Sequence, residues 1–584
     1  MGGDFPKLVT GVSSPLSGVE YAGSRKVPES RFIFPPKYVL YRNRQVDNQI
    51  RPAHLSRTGL PSAGRHFHSP PGILLAWAGF IYANALFNHG LIPSMEPRFA
   101  EVVREMLATG QYLVPIKNGI PYMEYPPLLY WLGVAGARLG LPIEAAIRLP
   151  CYLAFGAWII YLDRLQRLLW KAWTPGVLAL FGAALPAILW HFFTAQTDSL
   201  LITGVLIAFV GFAQLRCGPD HHRFPWRLWL GLILATAAKG PVGIACTLPP
   251  MMIEIGIAAL LGRAPGAPFS PALWRFSRHL GTMCWYRGLA LLIVTLVPWY
   301  LAAGMDRGWD FVRALVIYQN FDRYLLGHSH SQPAWYYLGS VLAGLFPFSL
   351  LIPFGFWAAL KQARDFPTRL VLSWAVFSFV FFSLSASKQG KYLLPAAPAL
   401  LALGIIGTEV FPGTNRERVF TWLKRWSIGV IGVWGVLVVA VLPFYSPRIA
   451  HQGQFSLIEE AISARPGELV QYGWPRSLTL YKLGAPMKYV RSSRELHEKI
   501  HSGAMKPGDY LLVAEPDLPL PGTRGRPGQM ADLPAPPWFE HVLSVQAEKP
   551  MQLFRLLPGT QAMEPPPTPE PKKLDWVESQ FDTD

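Results

Sequence analysis

Long apolar runs separated by short polar segments occupy the chain between residues 72 and 445. Helices built from such runs cross the hydrocarbon core of a bilayer, which takes about 20 residues. The pattern predicts eleven crossings, or thirteen if broken helices are counted separately. Pro126–Leu141 is short and holds Arg138, so it is predicted to be a partial or re-entrant helix. The predicted crossings are Gly72–Phe87, Leu149–Leu162, Pro175–Phe193, Leu200–Leu215, Leu228–Ala238, Ile244–Leu261, Leu289–Ala303, Trp335–Leu360, Val371–Ser385, Tyr392–Ile406 and Ser427–Phe444.

Composition supports a polytopic membrane protein. Hydrophobic residues make up 51% of the chain and charged residues 15%, against about a quarter in soluble domains. The net charge of +17 is explained by basic residues that hold alternate loops in the cytoplasm, so a nucleic-acid partner is not expected. The four cysteines form no CxxC pair, which disfavours a disulfide framework or a zinc ribbon.

The polar pattern divides the chain into four parts. Residues 1–71 are basic and rich in Pro and Gly, and they are expected to form a disordered cytoplasmic leader; a later start codon is the alternative. Residues 72–445 form the transmembrane domain. Residues 446–558 alternate predicted strands and helices, which is typical of a small α/β domain with a partly parallel sheet. The odd number of crossings places this domain in the periplasm, and residues 559–584 are expected to be disordered.

The segment 91–131 is the first predicted external loop, and it concentrates charge. Glu96, Arg98, Glu101, Arg104 and Glu105 lie within ten residues. Apolar residues recur there at three- and four-residue spacing, which predicts an amphipathic helix. Its apolar stripe is expected on the bilayer surface while its carboxylates face a cavity. The alternative is an interfacial helix whose charges are only solvated.

Further polar residues lie on the same predicted side of the membrane. Charges at membrane depth are costly and mark functional cavities. A carboxylate there can take a proton from an attacking group, and Lys or Arg can hold a phosphate leaving group. These residues are Glu96, Arg98, Glu124, Asp198, Lys239, His328, His330, Lys388, Lys391 and Tyr392.

Each candidate also has a simpler interpretation. Asp198 could be a helix N-cap, and Lys239 could end a helix before Gly240. The two lysines 388 and 391 could extend to the membrane surface, although their spacing around a glycine favours phosphate binding. His328 and His330, with Glu124, form a candidate site for a divalent metal ion, the only cofactor considered; a solvated histidine pair is the alternative.

An ordered series of motifs resembles bacterial membrane glycosyltransferases of the GT-C fold, closest to the lipid A aminoarabinose transferases, which are related to the protein O-mannosyltransferases. It comprises EPRFAEVVREMLATGQYLVP, NGIPYMEYPPLLYWL, AIRLP, TAQTDSLL, AAKGPVG, VPWYLA, GWDFVRALVIYQNFDRYL, GHSHSQPAWYYL and SKQGKYLLPAAPAL, between about Gly72 and Ala402. The resemblance implies an integral inner-membrane enzyme with a periplasmic active site and a polyprenyl-phosphate sugar donor.

Two positions depart from the family pattern. The family has an Asp, regarded as the catalytic carboxylate, where this chain has Met95, and a Lys where it has Tyr125. Asp198 and then Glu96 are therefore the expected catalytic carboxylates. The expected substrate-binding residues are Arg98, Glu124, Tyr125, Lys239, Lys388, Lys391 and Tyr392.

The sequence thus predicts transfer of a sugar from a polyprenyl-phosphate carrier to lipid A or another envelope glycan. Met95 leaves a non-catalytic binder of lipid-linked sugar open. A transporter is the third possibility, but the sequence has no internal repeat, and its charges cluster at one face.

Overall fold

The computed structural model describes residues 70–92, 96–218, 223–261, 270–326, 332–333, 335–449, 451–484, 486–491, 493–514, 538–546 and 550–558. Residues 1–69 of the predicted leader and residues 559–584, the predicted tail, lie outside the described residues. The α-helices are α1 Pro70–Phe87, α2 Glu96–Thr109, α3 Leu128–Arg138, α4 Ile143–Leu169, α5 Val177–Ala183, α6 Pro186–Phe193, α7 Thr197–Cys217, α8 Trp226–Lys239, α9 Pro241–Leu261, α10 Ser270–Thr282, α11 Trp285–Arg307, α12 Trp309–Arg313, α13 Arg323–Leu326, α14 Tyr336–Gly344, α15 Ile352–Lys361, α16 Phe366–Leu384, α17 Ala397–Gly407, α18 Gly413–Val436, α19 Leu442–Ile449, α20 Gln452–Ala464, α21 Ser477–Leu483 and α22 Ser493–His501. The 3-10 helices are Phe348–Leu351, Gly390–Ala396 and Thr408–Val410, and the π-helices are Ala314–Asp322 and Leu437–Val441.

The predicted polytopic helical fold is confirmed. Seven helical segments of the described residues are long and apolar enough to cross a membrane. The other predicted crossings coincide with shorter or broken helices, so the total number of crossings stays a prediction. The seven segments are Ile143–Leu169, Thr197–Cys217, Pro241–Leu261, Trp285–Arg307, Phe366–Leu384, Gly390–Val410 and Gly413–Ser446.

Two crossings predicted as single helices are broken at proline. The run from Pro175 to Phe193 divides into α5 and α6, and Pro186 occupies the first position of α6, where a missing N–H costs no hydrogen bond. The run 335–360 divides into α14 and α15 around Pro347. Between the predicted crossings Leu289–Ala303 and Trp335–Leu360, the chain forms α12, a π-helix and α13.

Helices α7 and α8 form a closely packed antiparallel pair. A Cβ at Gly204 would lie 2.6 Å from the amide nitrogen of Ala235, and one at Gly231 would lie 2.6 Å from the carbonyl oxygen of Gly204. Small residues of this kind let two helix backbones approach each other inside a membrane. The first turn of α7 therefore lies beside the last turn of α8, which brings Asp198 next to Lys239.

Helix α2 is amphipathic as predicted, but its predicted place on the bilayer surface is wrong. Phe99, Val102, Val103 and Met106 are buried, and the helix packs against α3, α4 and α21. Its carboxylates are buried as well and are bonded inside the protein rather than facing a cavity. The apolar stripe is covered by protein because the C-terminal domain and two membrane helices meet around it.

The C-terminal region is an α/β unit, as predicted. Its sheet has the strand order β4-β3-β5-β7-β6. Strands β4, β3 and β5 run parallel to one another, β7 is antiparallel to β5, and β6 is antiparallel to β7. Helix α22 covers one face, and α20 and α21 contribute to the apolar core on the other. Helix α20 was not predicted. The strands are β3 Leu469–Tyr472, β4 Lys488–Val490, β5 Tyr510–Ala514, β6 Phe539–Gln546 and β7 Pro550–Leu556.

A small hairpin joins the membrane domain to this unit. Strands β1 (Ile116–Lys117) and β2 (Ile120–Pro121) are connected by Asn118 and Gly119, whose φ angles of 54° and 74° suit a two-residue hairpin turn. Glu105 of α2 accepts hydrogen bonds from both turn amides, at 2.6 and 2.5 Å. The Asn118 amide exchanges two hydrogen bonds with the Met487 backbone, at 3.2 and 2.7 Å, so the turn holds the C-terminal domain against α2.

Candidate functional site

A cavity of about 1360 Å³ opens between the membrane helices. One part of its wall is apolar and aromatic, and the other carries ionisable groups. Four cations face two carboxylates there, so the polar part has excess positive charge. The charged lining residues are Arg98, Glu124, Asp198, Lys239, Arg323 and Lys391.

Asp198 lies between two lysines in the cavity wall. The Lys239 Nζ lies 2.5 Å from Asp198 Oδ1, and the Lys391 Nζ lies 3.7 Å from Asp198 Oδ2. The aspartate side chain is only 3% exposed. The Lys239 ammonium also lies 5.9 Å from the ring centre of Tyr125 and 5.6 Å from that of Tyr392. Asp198, Lys239 and Lys391 together carry one net positive charge, because the single carboxylate compensates only one of the two ammonium groups. These three residues can therefore hold an anion.

Arg98 and Glu124 form a second ion pair in the same wall. The Arg98 Nη1 donates to both oxygens of Glu124, at 3.2 and 2.9 Å. Burial alone would raise the pKa of Glu124, but Arg98, together with Lys117, the Tyr122 hydroxyl and Arg323, holds that pKa below its usual range. Burial raises the pKa of the neighbouring Tyr125 to about 12, so this residue presents a neutral hydroxyl where the family pattern has a lysine.

Glu96 is not part of the cavity wall. It is fully buried and paired with the fully buried Arg148, whose Nη2 lies 2.6 Å from Glu96 Oε2. It also accepts hydrogen bonds from the amides of Ile92 and Ala195. Burial would raise the pKa of Glu96, but Arg148, together with His89 and the Ile92 amide, lowers it below its usual range, so the carboxylate stays ionised. These contacts connect α2 with α4 and with the segment before α7.

Lys388 and Lys391, both predicted to bind substrate, also differ in whether they line the cavity. Lys391 lines the cavity, as does the adjacent Tyr392. Lys388 is 6% exposed, and its Nζ donates to the backbone carbonyls of Gln332, at 3.0 Å, and of Ser385. Lys388 itself is not among the residues that line the cavity, and its ammonium group is occupied with these two carbonyls.

Three of the residues singled out from the sequence, Met95, His328 and His330, lie outside the described residues. Across the described part of the chain, no three His, Cys, Asp or Glu side chains are grouped so as to hold a metal ion. Glu124, the third member of the candidate metal site, is engaged by Arg98. That site stays a prediction.

The structure also adds residues that the sequence reasoning missed. Arg148 donates to the carbonyls of His89 and Gly90 as well as to Glu96, and its position inside an apolar run was the available signal. His191 and Arg323 line the cavity. Both lie in or near motifs in which isolated polar residues stand between apolar ones. The sequence therefore showed that ionisable side chains are present there, but not that these side chains face the cavity.

The sequence is similar to those of aminoarabinose transferases. It is 28% identical over 368 residues to undecaprenyl phosphate-alpha-4-amino-4-deoxy-L-arabinose arabinosyl transferase 1 of Pseudomonas fluorescens, covering 62% of this chain and 64% of the relative. It is 26% identical over 383 residues to the corresponding transferase of Aeromonas hydrophila, covering 64% of this chain and 66% of the relative. The chain thus spans slightly less than two thirds of the first relative. No family model matches.

The fold is similar to that of a solved structure, ArnT from Cupriavidus metallidurans bound to undecaprenyl phosphate. The TM-score is 0.60 at 19% identity, and the match covers 85% of this chain and 100% of that chain. The apo state of the same protein gives 0.58 at 18% identity, covering 82% and 98%. At this identity the likeness concerns the fold. The chain is therefore a multi-pass membrane protein with the GT-C fold of ArnT, and its predicted resemblance to the aminoarabinose transferases is confirmed.

Proposed function

We propose that the chain is a glycosyltransferase that moves a sugar from a polyprenyl-phosphate carrier to an acceptor such as lipid A or another envelope glycan. The acceptor attacks the anomeric carbon, and polyprenyl phosphate leaves. The relatives named above are aminoarabinose transferases whose names specify an undecaprenyl phosphate donor, which supports this donor class.

The observation that carries the proposal is the pair of lysines around Asp198. A departing phosphate gains charge in the transition state, and ammonium groups already in place stabilise that charge. Lys239 and Lys391 meet in the cavity wall although they come from different parts of the chain. Asp198 is held between them, so the arrangement exists before any substrate arrives.

Each remaining residue has a proposed role. Asp198 is the catalytic carboxylate of first importance, since it orients both lysines at the reacting phosphate. Arg98 and Glu124 bind the donor next to it, and the hydroxyls of Tyr125 and Tyr392 hydrogen-bond phosphate or sugar oxygens. Glu96, engaged by Arg148, acts by holding α2 in place.

The test is acceptor-dependent transfer by purified protein in nanodiscs, with undecaprenyl phosphate-linked 4-amino-4-deoxy-L-arabinose as donor and lipid A as acceptor. We expect turnover in the natural chain and its loss in Asp198→Asn. A natural chain that binds the donor but gives no product with lipid A or other envelope glycans would contradict transferase function. Such a result would support a non-catalytic binder.

We further propose that the cavity and the C-terminal domain face the periplasm from the bacterial inner membrane. The excess of Lys and Arg in alternate loops supports this orientation. Ser463 lies exposed near the end of α20, so a cysteine placed there is expected to react with an impermeant maleimide in intact spheroplasts. Protection until lysis would contradict the orientation.

A further inference from the structure

His191 lies in the last turns of α6, and its side chain lines the cavity. Its ring Nδ1 lies 2.7 Å from the carbonyl oxygen of Ala187, one helical turn earlier. A carbonyl oxygen can only accept a hydrogen bond, so Nδ1 carries the proton. In the neutral ring, Nε2 therefore has a lone pair and can accept a proton.

Asp198 and Glu124, the two carboxylates in the cavity wall, are less suited than His191 to accept a proton. Asp198 is flanked by two ammonium groups, and both oxygens of Glu124 accept from Arg98. Each of these carboxylates would lose favourable interactions with its cations on protonation. Among the described residues, none forms a hydrogen bond with the Nε2 of His191.

His191 is also fixed relative to the lysine site. The Ser199 hydroxyl in the first turn of α7 donates to the His191 carbonyl at 2.6 Å, which connects the end of α6 to the turn that carries Asp198. The charged groups that act on the ring are Asp198 from α7, Lys239 from α8 and Lys391 from the 3-10 helix. A base at this place faces the same cavity as the proposed phosphate site.

We propose that His191 is the general base of the transfer and that the acceptor is a nucleophile that still carries its proton, a hydroxyl group. The acceptor oxygen forms a bond to the anomeric carbon while the bond from that carbon to the carrier phosphate oxygen breaks. The electron pair of the broken bond goes to the phosphate oxygen, beside the lysines. The acceptor proton goes to Nε2, and the imidazolium then returns it to water. This inference rests on the proposed transferase function.

The first experiment is the pH dependence of turnover for the natural chain, His191→Gln and His279→Gln. Glutamine keeps a polar group of similar reach but is not a base at these pH values. Loss of a general base costs about 10²–10⁴ in rate, so His191→Gln is expected to lower kcat by this factor with little change in donor KM. The natural chain loses rate as pH falls and the imidazole protonates, and this acid limb disappears in the variant.

His279 is the matched control. It is a partly buried histidine paired with Arg216 at the far end of α7 from Asp198, so His279→Gln is expected to keep both rate and acid limb. An unchanged kcat in His191→Gln would overturn the inference. So would a lowered kcat with the acid limb retained, because the titrating group would then lie on the acceptor or elsewhere in the protein.

Two further measurements separate a base from a structural residue. Added imidazole is expected to restore turnover in His191→Ala, and the absence of rescue in a folded variant would contradict the proposal. Diethyl pyrocarbonate is expected to modify His191 in the natural chain, located by peptide mass spectrometry, with protection by undecaprenyl phosphate. An unmodified His191 would show that Nε2 is not available. A natural chain that is modified in this way but transfers no sugar would contradict the transferase proposal itself.

Discussion

Two lysines three residues apart allow a sharp test of the proposed phosphate site. Lys391 lines the cavity, and its Nζ lies 3.7 Å from Asp198 Oδ2. Lys388 is buried, does not line the cavity, and donates to two backbone carbonyls. Lys391→Met and Lys388→Met each remove one positive charge and keep a long apolar side chain. We expect only the first to weaken donor binding.

The expected size of each effect follows from what the lysine ammonium group binds. A hydrogen bond to a charged group contributes about 1.5–3 kcal/mol, so Lys391→Met is expected to weaken binding of undecaprenyl phosphate by roughly ten- to a hundredfold. Turnover at saturating donor should fall as well, because the phosphate gains charge in the transition state and one of the two ammonium groups that stabilise this charge is lost. Lys388→Met leaves carbonyl acceptors without their donor and is expected to cost about 1–3 kcal/mol of stability.

Binding is measured by isothermal titration of undecaprenyl phosphate in detergent, and stability by thermal unfolding of the same samples. The natural chain supplies the reference for both. Equal loss of donor affinity in the two variants would show that cavity lining does not identify the phosphate site. Unchanged affinity in Lys391→Met would remove this lysine from it.

Three further predictions concern Glu96, Asn118 and Met95. Glu96→Gln breaks a fully buried ion pair with Arg148, so it should lower the free energy of unfolding by about 3–5 kcal/mol in a thermal or denaturant assay, whereas a neutral effect would contradict a structural role. Asn118→Ala removes both hydrogen bonds to the C-terminal domain and should increase protease cleavage between the domains; unchanged cleavage would show that other contacts suffice. Met95→Asp restores the family carboxylate and should raise turnover of the natural chain by less than tenfold if Asp198 already orients the phosphate site. Activity that appears only in Met95→Asp would instead identify the natural chain as a binder.

The secondary-structure elements could be predicted from the sequence, because they depend on interactions between residues close together in the chain. Apolar runs predict membrane helices because side chains that face lipid must be apolar and each backbone group there must be hydrogen-bonded. Alternating strand and helix patterns after residue 446 predicted the α/β domain, whose strands in the structure include Leu469–Tyr472 and Tyr510–Ala514. The amphipathic period of α2 predicted its existence in the same way, and isolated charges between apolar runs singled out Asp198, Lys239 and Lys391.

Which charged side chains pair with each other could not be predicted from the sequence, because it depends on how the helices pack. Asp198 and Lys391 are 193 residues apart, and no periodicity relates them. Glu96 follows the same local pattern as Arg98 but turns inward to Arg148, because α4 places a guanidinium there and a buried carboxylate requires a cation. Such pairings depend on helix packing and on the cost of burying unpaired charge, which involve the whole bundle at once. For that reason the sequence indicated the chemistry of the cavity, while the fold selected the residues that line it.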